Sequence, residues 1–328
     1  MDGIIIIDKP AGLTSHDVVA RVRRILRLKR VGHTGTLDPF ATGVLVVLLG
    51  RATRLAQFLS GALKEYEATV RLGYATDTGD LTGTRREEQV KSQESRVRSQ
   101  ESVSFSQTPW TIDEIEAALA ALRGEIEQVP PMYSAKKVAG KKLYELARRG
   151  EEVERKAARV TIHRLEIIEQ DGAALHCQEE GTYDLSLRVV CSAGTYIRVL
   201  AEEIGERLGT GAHLAALRRT RAGSFKIESA ITLDQLEERS LKDNLSGFLI
   251  SPDAALPELP VLHLTSEEAR RARHGVSVQV DEAASSEWLD GEQVRMLSEG
   301  AGLIAVGVYD AATQTLRPRV VIKTENKH

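Results

Sequence analysis

The residues best suited to chemistry in this chain are Gly32-His33-Thr34-Gly35-Thr36-Leu37-Asp38-Pro39, closed by Ala41-Thr42-Gly43. Glycines allow positive φ and close approach of backbone to a ligand. A carboxylate fixed by a following proline at the end of such a loop is placed to act as nucleophile or base. A lone Asp-Pro is also a common structural turn, so the neighbouring letters must decide. A phosphate-cradling loop needs GxxxxGK[ST], and no Lys-Ser or Lys-Thr follows Gly35 or Gly43. The eight histidines show no HxxxH or HxH pair, and Cys177 and Cys191 form no CxxC. Neither a metal nor a cofactor site is expected.

Several elements must position this loop. Ile4–Ile7, ended by Lys9-Pro10-Ala11-Gly12, reads as a buried strand. Thr14 and Ser15 offer N-caps to a helix with Val18, Val22, Ile25 and Leu26 on one face. Three glycines and a proline exclude a regular element from 32–43. Val44–Leu49 and Tyr66–Leu72 read as strands, and Arg51–Leu59 as a short helix. Residues 84–108 carry the near-repeat SQESRVR and SQESVSF, and read as a flexible insertion without chemistry. A capping box at Thr111–Glu114 opens another helix, and Lys141–Arg149 a short basic one. Val160–Ile168 and Tyr183–Cys191 are strands, and Tyr196–Leu208 is a helix. Beyond Leu256-Pro257-Glu258-Leu259-Pro260 the pattern changes to short strands around one helix, Thr265–His274, which marks a domain boundary.

Composition excludes other classes. The chain has 328 residues with a formal net charge of −3, so indiscriminate charge-driven binding to nucleic acid is excluded. The charge is uneven, however. Residues 1–64 hold ten Lys/Arg against four acids, and 136–149 hold six against Glu145. Residues 213–226 add Arg218, Arg219, Arg221 and Lys226 against none, whereas 228–300 hold fifteen acids and six bases. Basic segments beside Gly-rich, Tyr-containing loops suit a phosphate backbone. Two cysteines, expected to be buried or half-buried, exclude a disulfide scaffold. No membrane span or signal segment is apparent, so a soluble cytoplasmic protein is expected. The string Thr-Gly-Thr-Leu-Asp is also found in phosphoaspartyl phosphatases, but Gly32 and Thr34 stand where those enzymes need a nucleophile and an acid.

Five ordered stretches then point elsewhere: GIIIIDKPAGLTSHDVV (3–19), GHTGTLDPFATGVL (32–45), KEYEATVRLG (64–73), VPPMYSAKKVAGKKLYELARRG (129–150) and CSAGTYIRVLAEEIGERLGTGAHLAALRRTRAGSF (191–225). Together they resemble the TruB family of tRNA pseudouridine synthases. The resemblance implies an α+β fold: a mixed β-sheet catalytic domain over 1–255 with flanking helices, and a small, mostly β, PUA-type domain over 256–328. It makes Asp38 the catalytic aspartate, Tyr66 the tyrosine that stacks on the target base and serves the proton step at C5, and Arg198 the partner of the carboxylate. His33 matches a residue that holds the everted loop, Tyr196 and Leu217 line the pocket, and Lys9-Pro10 pack beneath the active-site loop. Segment 129–150 would embrace the RNA.

The implied activity converts uridine to pseudouridine at position 55 of the TΨC loop. It would work on the T-arm stem-loop without guide RNA, cofactor or obligatory protein partner, as a monomer. A second reading is an RNA-binding or tRNA-folding factor that does not depend on catalysis; the Asp38–Tyr66–Arg198 set argues against pure binding, and a folding role can accompany catalysis. Flipping the base out costs a few kcal/mol, about what stacking on Tyr66, roughly 1–3 kcal/mol, would offset.

Overall fold

Four consecutive isoleucines form a strand only if both faces of that strand are covered, and here they are. The structure, a computed structural model, describes residues 1–86 and 109–322 apart from 135, 139, 140, 148, 152, 243, 246, 282, 284 and 285. Strand β1 (Gly3–Lys9) pairs antiparallel with β3 (Thr42–Leu49). Ile5 and Ile7 face helices α1 (Ser15–Ile25) and α6 (Leu233–Leu241). Ile4 and Ile6 face the other way, into a cluster with Leu303, Val306 and Val320.

The main sheet runs β1-β3-β11-β4-β10-β8-β5, with β11 (Ala212–Ala222), β4 (Lys64–Leu72), β10 (Tyr183–Cys191), β8 (Ala158–Ile167) and β5 (Gly124–Gln128). Short strands β2 (Val31–Thr34), β9 (Leu175–Cys177) and β12 (Phe225–Lys226) flank it. All path neighbours are antiparallel except β3 and β11, so the sheet is mixed, as expected. Helices α3 (Ile112–Ala120) and α5 (Ile197–Arg207) cover one face, through Ile115, Leu119, Leu200 and Ile204 against Val70, Leu185 and Leu187. Helix α2 (Ala56–Leu59) follows a 3-10 turn, and α4 (Leu143–Ala147) follows the β6–β7 pair (Lys137–Val138, Lys141–Lys142). A second sheet, β13-β15-β16-β17-β14, spans 261–321 and packs on helix α7 (Ser266–Arg273). Its strands are Val261–Leu264, Val278–Gln279, Gln293–Ser298, Gly302–Asp310 and Thr315–Val321 in chain order, β13 to β17.

Capping residues set the helix ends as the sequence implies. Thr14, Thr111, Thr232 and Thr265 each complete a reciprocal capping box. Three readings need correction. Residues 32–34, expected to be irregular, belong to β2 and pair with Leu48, Val47 and Val46, because the glycine at 32 is tolerated in a short flanking strand. Cys177 is exposed, since β9 lies at the sheet margin. The stretch 84–108 starts too early: Arg85 bridges Thr76, and Arg86 N donates to Ala75 O. Residues 87–108 lie outside the described residues. No helix among the described residues is long and apolar enough to cross a membrane.

Gly43 is where β3 and β11 come into contact. Its φ is +98°, and a Cβ there would run into the Arg219 backbone. Gly43→Ala is therefore expected to lower stability by about 2–3 kcal/mol, measured as a reduced urea midpoint at unchanged m-value.

Candidate active site

The loop between β2 and β3 has little regular structure, so its shape depends on what its polar groups meet. Fully buried Lys9 donates from Nζ to the carbonyls of Pro10 (2.8 Å), Pro39 (3.1 Å) and Ala41 (2.6 Å). Buried Ser15 Oγ accepts from Leu37 N at 2.9 Å and lies 3.2 Å from Leu37 O. Gly12 N donates to Pro39 O, and Ala41 N to Asp38 O. Lys9 is thus a clamp on the residues that flank Asp38. Loss of water around its ammonium lowers its pKa to about 8, helped by Arg219 and opposed by Asp38 and Asp17.

Asp38 keeps a third of its side chain open to solvent while standing 3.0 Å, Oδ2 to Nε, from a guanidinium that is only 6% exposed. That guanidinium is Arg198, in the first turn of α5. Its Nη1 donates to Thr78 O at 2.9 Å, and its Nη2 to Tyr133 O at 2.6 Å and to Asp38 Oδ1 at 3.4 Å. A second carboxylate, buried Asp80, stands 3.7 Å from Nη1. Asp80 is oriented by Thr78 Oγ1, Thr82 N and Thr82 Oγ1, all donating to its Oδ1. Burial pushes the Asp38 carboxyl above the usual carboxylate range; Arg198 opposes the rise and Asp80 adds to it. Desolvation is the larger effect on the carboxyl, and Arg198 limits it.

Tyr66 lies on β4 with its ring turned toward the helix-covered face and is 8% exposed. Burial raises its phenol pKa, and Arg219 opposes the rise. Leu217, on neighbouring β11 opposite Ala68, packs in the same cluster. Tyr196 is the N-cap residue of α5, and its backbone is gripped on both sides by the buried Gln128 amide, at 3.0 and 3.4 Å. His33 sits on β2 with its ring 5.5 Å from His16, edge to face. Desolvation, then His16 and Arg219, bring its pKa to about 4, so the imidazole is neutral at pH 7. Its Nδ1 is buried with no partner among the described residues.

The structure therefore gathers Lys9, Asp38, Tyr66, Arg198 and Leu217 around one loop, with His33 and Tyr196 on adjoining elements. Asp80 went unnoticed in the sequence, although Thr78-Gly79-Asp80-Leu81-Thr82-Gly83 carries the turn chemistry that makes such a side chain local and rigid. The basic run 213–226 is also reassigned. Arg218 pairs with Asp8 at 2.8 Å, Arg221 with Glu65 at 3.1 Å, and Arg219 is buried. Arg218 and Arg221 are half-exposed but each is paired with an acid, and only Arg219 enters the core. Among the described residues no group of three His, Cys, Asp or Glu is placed to hold a metal.

Two family models divide the chain at this site. The TruB family pseudouridylate synthase N-terminal domain matches residues 23–197, and the tRNA pseudouridylate synthase B C-terminal domain matches 198–256. The chain is 41% identical to the tRNA pseudouridine synthase B of Geobacillus thermodenitrificans (strain NG80-2) over 325 residues, 98% of this chain and all of that one. It is also 41% identical to the protein of that name in Ralstonia nicotianae (strain ATCC BAA-1114 / GMI1000), covering 98% and 94%. Among solved structures it is similar to an H/ACA ribonucleoprotein bound to a substrate RNA containing 2′-deoxyuridine (TM-score 0.67, 25% identity, 98% of this chain and 85% of that one). A Cbf5-Nop10-Gar1 complex is equally similar (TM-score 0.67, 28% identity, 98% and 84%). The clamped aspartate loop, its buried arginine and the match along nearly the whole chain lead to one assignment: the chain belongs to the TruB family of tRNA pseudouridine synthases, enzymes that isomerise uridine in tRNA.

Proposed function

We propose that this enzyme acts on position 55 of the TΨC loop, on the isolated T-arm and without a guide RNA, with Asp38 as its catalytic carboxylate. The observation that carries this reading is the Asp38–Arg198 pair, with a third of the carboxylate side chain exposed and the guanidinium buried. The relatives named tRNA pseudouridine synthase B are 41% identical to this chain, against 25% and 28% for the two guide-type complexes, which favours a stand-alone enzyme over one that reads a guide. Residues 1–255 form the catalytic domain in this reading. Residues 256–328 form a PUA-like RNA-binding domain, and 129–150 embrace the RNA. The enzyme works as a cytoplasmic monomer.

The chemistry is redox-neutral. The N1–C1′ bond breaks, the base turns, and a C5–C1′ bond forms. C5 then loses its proton as the C5–C6 double bond returns, and N1 gains one, so substrate and product are isomers. Asp38 as carboxylate attacks the sugar or base or takes a ribose proton. Arg198 aims it with a fork of charge-assisted bonds. Tyr66 supports the flipped base and serves the C5 proton step, Leu217 and Tyr196 line the pocket, and His33 in its neutral form contacts the everted loop.

Release of tritium from a T-arm stem-loop labelled at uridine C5 tests this directly. Asp38→Asn should reduce release roughly a thousandfold or more while still binding tRNA with strongly salt-dependent affinity. Full release by that variant, or none by the wild type, would sink the reading. A carboxyl whose pKa is raised by folding contributes stability below the ordinary carboxylate pKa and loses it as pH rises through its own. Asp38→Asn should therefore melt no lower than the wild type at pH 7 in calorimetry.

The kcat/KM profile against pH should be bell-shaped. Its acid limb lies above the ordinary carboxylate pKa, and Arg198→Gln moves it higher still. Its alkaline limb lies near pH 8, where the Lys9 ammonium loses a donor and one clamped carbonyl is released. For stability the sign is opposite: a lysine with a lowered pKa contributes above its unfolded value and loses that contribution as pH falls through about 8. Activity should thus decline above pH 8 with no matching loss of Tm from this group.

A further inference from the structure

Arg219 is a cation with almost no access to water, at 1% exposure, and among the described residues no carboxylate lies within ion-pair reach of it. Its neighbours in sequence differ: Arg218 and Arg221 are each paired with an acid. A lone buried guanidinium is costly unless its donors are used, and two of the Arg219 nitrogens donate to backbone carbonyls. Nε donates to Val44 O at 2.7 Å, on β3. Nη2 donates to Gly35 O at 3.1 Å, in the catalytic loop. Nη1 lies beside Gly35, 3.5 Å from where a Cβ there would stand, in ordinary van der Waals contact. Across the sheet, Arg219 stands opposite Tyr66 on one side and Gly43 on the other.

On this geometry we propose that Arg219 is a positioning residue of the isomerisation: one buried guanidinium fixes the Asp38 loop and the Tyr66 phenol in a common frame, so that the C5 proton step meets a correctly placed hydroxyl. The assignment rests on the function proposed above. Arg219 also favours negative charge on the Tyr66 oxygen, against the burial that disfavours it. The other groups that bear on the phenol are Cys191 on β10, and Asp38 on the loop. Neither is a cation, so the electrostatic support for the phenolate, the form in which the Tyr66 oxygen can take the C5 proton once its own proton has passed to solvent, comes from Arg219.

A strut in the core and a positioning residue differ in what their loss does to the chemical step. Arg219→Lys keeps the charge and loses the fork; Arg219→Gln keeps donors and loses the charge. With a T-arm stem-loop carrying uridine or 5-deuterouridine at the target, both variants should lower kcat, by roughly tenfold to a hundredfold. KM and tRNA affinity should stay within about threefold. The deuterium effect should exceed that of the wild type, because loss of the C5 proton has become slower. In a Tyr66→Phe background the same substitutions should cost less, since the group they act on is gone. Wild-type kcat in Arg219→Gln would overturn the assignment. So would an unchanged isotope effect with equal losses in the presence and absence of the Tyr66 hydroxyl. If the glutamine variant does not fold, Arg219→Lys carries the same comparison. No turnover by the wild-type enzyme would instead bring down the synthase reading itself, so the two failures are distinguishable.

Discussion

The site depends on one constraint: a partly dehydrated carboxylate must have a cation fixed beside it. Water is too scarce there to stabilise the charge, and a mobile lysine would not hold a direction. Arg198 meets the constraint because its own freedom has been removed. Thr78 O, Tyr133 O, Asp38 and Asp80 come from three separate parts of the chain and converge on a single guanidinium. Much of the sheet-and-helix framework serves that convergence. Helix α5 presents Arg198, the loop after β4 brings Thr78 and Asp80 over the end of β11 through the Asp80–Leu214 bridge, and the segment after β5 supplies Tyr133.

The aspartate loop is the second half of the same arrangement. A loop with so little regular structure is rigid when its carbonyls find donors, and here the donors are charged. Lys9 takes three carbonyls on one side of the loop and Arg219 takes two on the other. Lysine is the right residue at position 9 because a compact ammonium with three donors suits three converging oxygens. The forked arginine at 219 suits two oxygens that lie apart. The fold thus commits full charges to holding backbone in place, and the lowered pKa of Lys9 reflects that cost.

Much of this was legible in the sequence, and for identifiable reasons. The isoleucine run, the strand alternation at Tyr66–Leu72 and the Thr-initiated helices are local patterns with local causes, and each is present in the structure. The loop around Asp38 was legible because glycine, proline and a carboxylate at fixed offsets have few uses. Strand β11 was not. Ala-His-Leu-Ala-Ala-Leu-Arg-Arg-Thr-Arg-Ala is rich in residues that favour helices, and only pairing with β3, β4 and β12 makes it extended. Asp80 escaped notice for a related reason: its importance lies in an ion pair with a residue 118 positions away, which no spacing rule records.

Without the strand, the letters of residues 212–222 show their charge only as a basic run. A run of three arginines without an acid looks like a phosphate-facing patch when treated as surface. Extended and central, the same run sends neighbouring side chains to opposite faces, and a register shift between Arg219 and Arg221 interrupts the alternation, so Arg219 enters the core while Arg218 and Arg221 meet acids on β1 and β4. Positive charge on the exterior is concentrated elsewhere, on Arg21, Arg24, Arg27, Lys29 and Arg30 in and after α1, all exposed. Among the described residues the buried charges number four cations, Lys9, Lys64, Arg198 and Arg219, and one acid, Asp80. A net charge of −3 therefore describes the surface more than the site. Salt screens surface charges over about a Debye length but scarcely reaches a dehydrated interior, so the potential around Asp38 is a property of the fold itself, largely independent of the medium.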